Sequence, residues 1–513
     1  MNRQKFLRFL FATTLNLAGS GMLLATPARV VAQTDAARVP NEILVGVAPE
    51  TALSTPEALR STRARIESTL GHVIGRIPSL GVYRVRLRSG QSVASAVADQ
   101  GRVVGVAYVE PNYKFTAFDN PNDPAYAAQQ WAPQKVHAEL AWPLWSPKAA
   151  TVIAIVDTGV TLNHPDLENK LYRDSSGNVI GYDFVNGDAS PADDHGHGTH
   201  CAGIAAAQVN NGVGMAGIAG WSADPFGSDI HSTKIMPVKV LDASGSGSLL
   251  AVANGITFAA DNGAKIISLS LGATASSTTL TNAIAYAWNK GCIVVAAAGN
   301  SSSSVKSYPA ACANVISVAA TDTNDTLASF SNYGSWVLCA APGVSIYSTY
   351  PGGYANLSGT SMAAPLVAGE AALLASQAPW LSNTVLRNFV LSSVDPYKPY
   401  ASRTIKGGRV NVFEAIFAVN SLPAAPSVLS GTAKSRTQIS LTWMDNSSNE
   451  ANFVLERSAN SVTFSTVATL VAKTTSYTNS SLVANTLYYY RIRAVNSYGS
   501  SNYSNTISVR TLP

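Results

Sequence analysis

Apolar and polar positions fall into three successive regimes along the chain. From residue 33 to 118 the apolar runs are short. Glu42–Val47 reads as a strand, and Pro56–Leu70 as a helix with Leu59, Ile66 and Leu70 on one side. Leu80–Leu87 alternates like a strand, Val93–Gln100 is helix-like, and Val103–Val109 closes as a strand. That order predicts a small α+β unit with helices on an antiparallel sheet. From 119 to 422 the runs become continuously apolar: Val152–Val156, Lys234–Leu241, Ile266–Leu271, Ile293–Ala298 and Val315–Ala319. Helix-like segments such as Leu249–Asn262 and Leu280–Lys290 separate them. Buried runs alternating with helices predict a doubly wound α/β fold around a mostly parallel sheet, with functional groups at the carboxyl ends of the strands. After Pro423-Ala424-Ala425-Pro426 the chain turns Ser-, Thr-, Asn- and Tyr-rich. Short strands at Gln438–Trp443, Asn452–Arg457, Tyr488–Val495 and Thr506–Arg510 predict an all-β sandwich anchored on Trp443.

One stretch stands out. A polar, glycine-marked turn, Tyr354–Gly359, leads into an Ala- and Leu-rich run reaching Gln377, which predicts a buried helix. Ser361 then sits at the helix N-terminus, where free N–H groups and the helix dipole favour negative charge. A serine there can attack a carbonyl and leave the oxyanion facing a backbone N–H. A lone Gly-Thr-Ser is more often an ordinary helix cap, so the assignment needs further motifs.

Composition adjusts the picture. A chain of 513 residues is too long for one core, and 46% hydrophobic against 13% charged content predicts that most of it folds. The net charge of +5 is uneven: residues 1–118 hold 14 Lys+Arg and 7 Asp+Glu, and the remainder is slightly acidic. That gives no support for nucleic-acid binding. Arg3, Lys5 and Arg8 precede an interrupted apolar run, Phe9–Ala25, with cleavage expected after Ala28 or Ala32. The predicted organisation is a signal peptide at 1–32, the small α+β unit at 33–118, the α/β domain at 119–422 and a β domain at 423–513. The mature protein is expected to be exported, free of the membrane and monomeric. Four cysteines are too few for a disulfide scaffold, and none has zinc-site spacing.

Three further motifs give Ser361 company. Asp157-Thr158-Gly159 follows the strand Val152–Val156. Alone it is ambiguous with the aspartic-protease signature, but no second copy exists to share a proton. His195-Gly196-His197-Gly198-Thr199-His200-Cys201-Ala202-Gly203 opens a helix, and its glycines let backbone approach His197. Asn300 ends the apolar strand Val294–Ala298 with an amide. The order Asp…His…Ser is that of the subtilisin arrangement.

With these residues, and with Asn122-Asp123-Pro124, Ser268–Gly272 and Gly359–Pro365, residues 119–415 resemble the subtilisin-like serine proteases (subtilases), in their thermitase-like branch. Val109–Tyr113 resembles the end of a subtilase inhibitory propeptide. Residues 423–513 resemble a fibronectin type III domain, with Tyr488 at the tyrosine-corner position. The resemblance implies that Ser361 is the nucleophile, His197 the base, Asp157 its orienting partner and Asn300 an oxyanion donor. Gly245, Ser246 and Gly247, with Ser270, Leu271 and Gly272, would pair with an extended peptide. Ala298, Gly299 and Ser301 would border an uncharged pocket for large apolar P1 residues. Calcium is the implied cofactor. One site would use Asp123, Asp166, Asn211 and carbonyls near Gln208, Val213 and Met215. A second would use Asp183, Asn186 and Asp188, weakened because Asn186 replaces a carboxylate and Ala192 removes an oxygen ligand. Cys292 opens one strand and Cys312 precedes the next, so a Cys292–Cys312 disulfide is expected; Cys201 should be a buried free thiol. The implied protein is a broad-specificity endopeptidase made as an autoprocessed precursor, with its own propeptide as inhibitor. An alternative, a catalytically silent carrier of the β module, has no need of all four of Asp157, His197, Asn300 and Ser361.

Overall fold

The computed structural model describes residues 38–47, 56–98, 105–113, 120–221 and 232–513. The expected signal peptide and the end of the propeptide at 114–118 lie outside the described residues.

The N-terminal unit is a four-stranded sheet in the order β2-β3-β1-β4, built from β1 Arg38–Val47, β2 Gly71–Ile77, β3 Val82–Leu87 and β4 Val106–Tyr113. Helices α1 Pro56–Thr69 and α2 Val93–Ala98 accompany it, and Ile43, Val45, Ile66, Leu70 and Val85 make the core. Strand β2 escaped the pattern of apolar positions because it is an edge strand. Its residues are mostly exposed, so no alternation marks it.

Three short helices, α3 Tyr126–Gln129, α4 Trp131–Lys135 and α5 Ala138–Ala141, lead into the central sheet. Its strands are β5 Thr151–Asp157, β6 Tyr182–Asp183, β7 Thr233–Lys239, β8 Ile266–Leu269, β9 Ile293–Ala297, β10 Ile316–Thr321 and β11 Cys339–Pro342, which pair parallel with one another; two further two-residue strands pair beyond β11. Between them run α6 His197–Ala206, α7 Leu249–Asp261 and α8 Thr278–Asn289. Strand β5 lies between β7 and β8, so the strand order reverses at β5. That reversal opens a crevice at the carboxyl ends, where Asp157 stands. Residues of β5 alternate between two cores. Ile153 and Ile155 face the side covered by α6 and by α9 Thr360–Gln377; Val152, Ala154 and Val156 face α7 and α8.

Two expectations need correction. Tyr354–Gly359 is not a turn throughout. β12 Ile346–Tyr350 and β13 Gly353–Leu357 form a hairpin, and Tyr354 pairs with Thr349 across it. Its polar side chains hid a strand that is only half-buried. The Cys292–Cys312 disulfide is not formed, and all four cysteines are free. Cys312 lies in the turn before β10, and the two thiols are directed to different partners. Cys292 Sγ donates to Ala264 O at 3.1 Å, while Cys312 Sγ lies 4.0 Å from Thr281 Oγ1.

After helices α10 Asn383–Ser392 and α11 Val412–Asn420, the C-terminal residues form two sheets, one of three strands and one of five. Trp443 packs edge-on against Phe453 in their core, 6.0 Å between centroids. Val483 N–H donates to Tyr488 Oη at 3.1 Å, the tie expected of a tyrosine corner. Asn449 and Asn496 both donate to Ser421 O, just past α11. Among the described residues no helix is long and apolar enough to cross a membrane.

Candidate active site

The site begins where β5 ends. Asp157 is buried, and its Oδ1 accepts from Thr158 N–H at 2.8 Å. His197 Nδ1 lies 2.7 Å from the same oxygen. A carboxylate only accepts, so Nδ1 carries the proton and Nε2 is left as the basic nitrogen. Burial favours the neutral ring, but the Asp157 charge outweighs it and holds the His197 imidazole well above its ordinary range.

His197 opens α6, and the glycines beside it are required by close approach. A Cβ on Gly198 would sit 2.2 Å from Gly159 O, and one on Gly196, where φ is +102°, would fall 2.5 Å from the Tyr350 ring. Asp193 binds this junction together. Its Oδ1 accepts from His195 N, Gly196 N and Thr158 Oγ1, and its Oδ2 from Thr199 N at 2.9 Å. Thr158 Oγ1 in turn accepts from Gly198 N at 2.9 Å. The residue after Asp157 is thereby tied to the first turn of the helix bearing His197.

Ser361 is the second residue of α9. Pro365 follows four positions on and has no N–H, so the Ser361 carbonyl lacks its helical partner. Two side chains take that place: Ser270 Oγ donates to Ser361 O at 2.8 Å, and Cys201 Sγ at 3.4 Å. The Ser361 hydroxyl donates to Ser270 O at 3.2 Å. Asp157 and His197 are therefore hydrogen-bonded, whereas the Ser361 Oγ is turned to the β8 end. Burial pushes the Cys201 thiol up, consistent with an inert buried group.

Asn300 lies one turn beyond β9. Its Oδ1 accepts from Thr360 N at 2.8 Å and Thr360 Oγ1 at 2.9 Å. A Cβ on Gly359 would meet Asn300 Nδ2 at 3.3 Å and Ser361 N at 3.6 Å, so two N–H donors border one small space beside the serine. Ala298 is buried, and its carbonyl accepts from Asn332 Nδ2 at 2.9 Å. Asn332 Oδ1 also accepts from Ser301 N, which fixes the segment through Gly299. A cleft of about 620 Å³ adjoins His197, with Gly245–Gly247 on one side, Ser270–Gly272 on the other, and His195 and Tyr308 at its margins.

The first expected calcium site gathers oxygen-bearing groups from three segments, at Asp123, Asp166 and 208–215. Asp123 and Asp166 are buried, and burial pushes both carboxyl groups up; the Asp166 charge adds to the effect on Asp123. Asn211 Nδ2 donates to Asp166 Oδ1, and Met215 N and Tyr354 Oη both donate to Asp166 Oδ2. Gln208 N donates to Asp166 O, and Asn211 Oδ1 accepts from Val213 N. A Cβ on Gly214 would fall 2.3 Å from Asp166 Oδ2. Two buried carboxylates, with an amide and backbone carbonyls brought beside them, fit a hard cation. The second expected site does not fit as well. Only Asp183 is buried there, while Asn186 and Asp188 are exposed, so the site lacks the pair of buried carboxylates that the first one has.

Asp193, Asp194, Lys239 and Asn332 were not singled out from the sequence, and Thr158 and Pro365 entered only as members of the Asp157–Gly159 and Gly359–Pro365 motifs. Two signals were available: a lysine inside an apolar strand run, and the acidic pair Asp193-Asp194 just before the histidine motif.

Three family profiles match the chain: the fervidolysin N-terminal prodomain over 25–112, the subtilase family over 148–415 and the fibronectin type III domain over 424–510. Thermitase of Thermoactinomyces vulgaris is 51% identical over 297 residues, 58% of this chain and 99% of that protein. The thermophilic serine proteinase of Bacillus sp. (strain AK1) is 47% identical over 61% of this chain and 73% of its own length. The alkaline protease of Shouchella clausii is 38% identical over 64% and 78%. A solved protease of Pseudoalteromonas arctica PAMC 21717 superposes with a TM-score of 0.51 at 29% identity, covering 59% of this chain and all of its own. The parallel sheet, the aspartate and histidine joined at its rim and these matches lead to one conclusion: the chain belongs to the subtilase family and is a subtilisin-type serine endopeptidase with a prodomain and a fibronectin type III domain.

Proposed function

We propose that this protein is a secreted, broad-specificity endopeptidase in which Ser361, His197 and Asp157 act as a triad and Asn300 as oxyanion donor. The 2.7 Å bond between His197 and Asp157 carries the reading. It fixes the tautomer that leaves Nε2 free to take the Ser361 proton, once Oγ turns from Ser270 O toward the ring. Asp157 then stabilises the imidazolium. The Asn300 amide and the Ser361 N–H receive the negative oxygen of the tetrahedral intermediate. Gly245–Gly247 and Ser270–Gly272 offer backbone groups to an extended peptide from two sides. Backbone pairing reads no sequence, which supports broad selectivity, and the uncharged Ala298–Gly299 segment supports large apolar P1 residues. The prodomain serves as an intramolecular inhibitor removed by self-cleavage. Asp123, Asp166 and Asn211 would hold a calcium ion, which supplies positive charge to two buried carboxylates.

Ser361→Ala in the full chain is the test. Casein hydrolysis and self-processing are expected to vanish while the circular dichroism spectrum is retained. Turnover persisting in this variant refutes the triad.

A further inference from the structure

Lys239 is the last residue of β7, and its side chain is 1% exposed. An ammonium has three donors, and here each finds an acceptor from a different segment. Nζ donates to Thr158 O at 2.9 Å, Leu241 O at 2.8 Å and Asp194 Oδ1 at 2.6 Å. Thr158 follows Asp157. Leu241 opens the loop that returns through Gly245–Gly247, and the Asp242 side chain holds that loop by accepting from Ser244 N and Ser246 N. Asp194 belongs to the loop that carries His195 into the cleft and leads to His197. The acidic pair is thus divided. Asp193 ties the helix start to the Thr158 side chain, and Asp194 is tied through Lys239 to the Thr158 carbonyl. These two loops come to contact distance at the margin of the cleft, where a Cβ on Gly245 would sit 3.2 Å from His195 Nε2. Across that gap no direct hydrogen bond sets the spacing among the described residues. The lysine beneath it reaches both loops.

We propose that Lys239 is a positioning residue for peptide hydrolysis. Its ammonium anchors the Leu241–Gly247 loop, the wall that offers backbone groups to an extended peptide, against the His195 loop. The inference rests on the reading of the cleft given under Proposed function. His197 is held independently by Asp157 and by α6, so loosening the Lys239 tie acts first on the walls and less on the base. The consequence is selective by substrate length. A peptide long enough to pair with Gly245–Gly247 feels the loss, and a single-residue ester does not extend that far.

Asp194 is half-exposed, so its substitution tests the tie with little risk to folding. Mature Asp194→Ala and Asp194→Asn enzymes, normalised by titration with a serine-directed inhibitor, are assayed on a tetrapeptide anilide and on a blocked single-residue ester. With Asp194→Ala, KM for the tetrapeptide should rise about tenfold, the effect of one lost charge-assisted hydrogen bond, while kcat/KM for the ester changes by at most about twofold. Asp194→Asn keeps an oxygen acceptor for Lys239 and should recover most of the loss. Lys239→Met should show the same length selectivity more strongly. If that variant does not fold, the two Asp194 variants decide. Unchanged tetrapeptide kinetics in Asp194→Ala, or equal losses on both substrates, overturn the proposal. Activity surviving in Ser361→Ala would instead overturn the reading of the site, whatever the Asp194 variants do.

Discussion

Replacing Glu370 by Gln should stabilise the enzyme, and increasingly so as pH rises. Glu370 sits inside α9, fully buried, and neither carboxyl oxygen has a hydrogen-bond partner among the described residues. Burial alone holds its carboxyl well above the usual range. It also bears on the buried Cys339 thiol, which is raised first by burial and then by Glu370, with Arg387 opposing. The sign follows from proton counting. Between the unfolded and folded titration ranges the native state keeps the Glu370 proton and the unfolded chain gives it up. Stability is therefore greatest below the unfolded carboxyl range and falls as pH rises toward the folded value. The slope for one proton is about 1.4 kcal/mol per pH unit. Each pH unit within that interval therefore lowers Tm by about 3–5 °C for a domain of this size. Gln keeps the shape and has no proton to lose, so its stability lacks this slope. Serine-blocked wild-type and Glu370→Gln enzymes, melted by calorimetry at fixed calcium from pH 5 to 8, should show a gap in Tm that widens with pH. Parallel curves, or a Gln variant that is the less stable at pH 8, would refute the assignment of a neutral buried acid.

Other outcomes follow from the same geometry. Because His197 is raised and must be neutral to act as base, kcat/KM should climb with pH through a midpoint above about 6.5, the ordinary imidazole value; a midpoint at or below it contradicts the Asp157 effect. Asn300→Ala should lower kcat by about 10²–10³-fold with little change in KM, a magnitude carried over from removal of such a donor in a subtilisin. Tm should also fall slightly, since Thr360 N–H loses its acceptor. Chelation should lower the melting temperature of the wild type, and Asp123→Ala should abolish that sensitivity; a chelator without effect on the wild type argues against a bound cation at Asp123 and Asp166.

What the amino-acid order settled by itself was whatever a local pattern encodes. Val152–Val156 had to be a buried strand, and Asp157 had to stand at its end. The Ala-rich run to Gln377 had to be a helix, which put Ser361 in its first turn. In the last ninety residues, Trp443 and Tyr488 marked a sandwich because a large buried aromatic and a corner tyrosine leave a recognisable spacing. Features that depend on register between distant segments were another matter. Gly353–Leu357 is a strand only because β12 pairs with it, and its own polar residues gave no sign of that. Cys292 and Cys312 stay unbonded because each thiol meets a partner from another segment, Ala264 O and Thr281 Oγ1. Lys239 lies in the run Lys234–Leu241, which predicts a strand and nothing more; only the packing of three segments around the end of β7 supplies acceptors for all three of its donors. Likewise Pro365 reads as a helix blemish until Ser270 and Cys201 are brought from other elements to the carbonyl it frees. Periodicity is set by neighbours in sequence, whereas these pairings are set by the burial of a whole sheet between two layers of helices, which no short window contains.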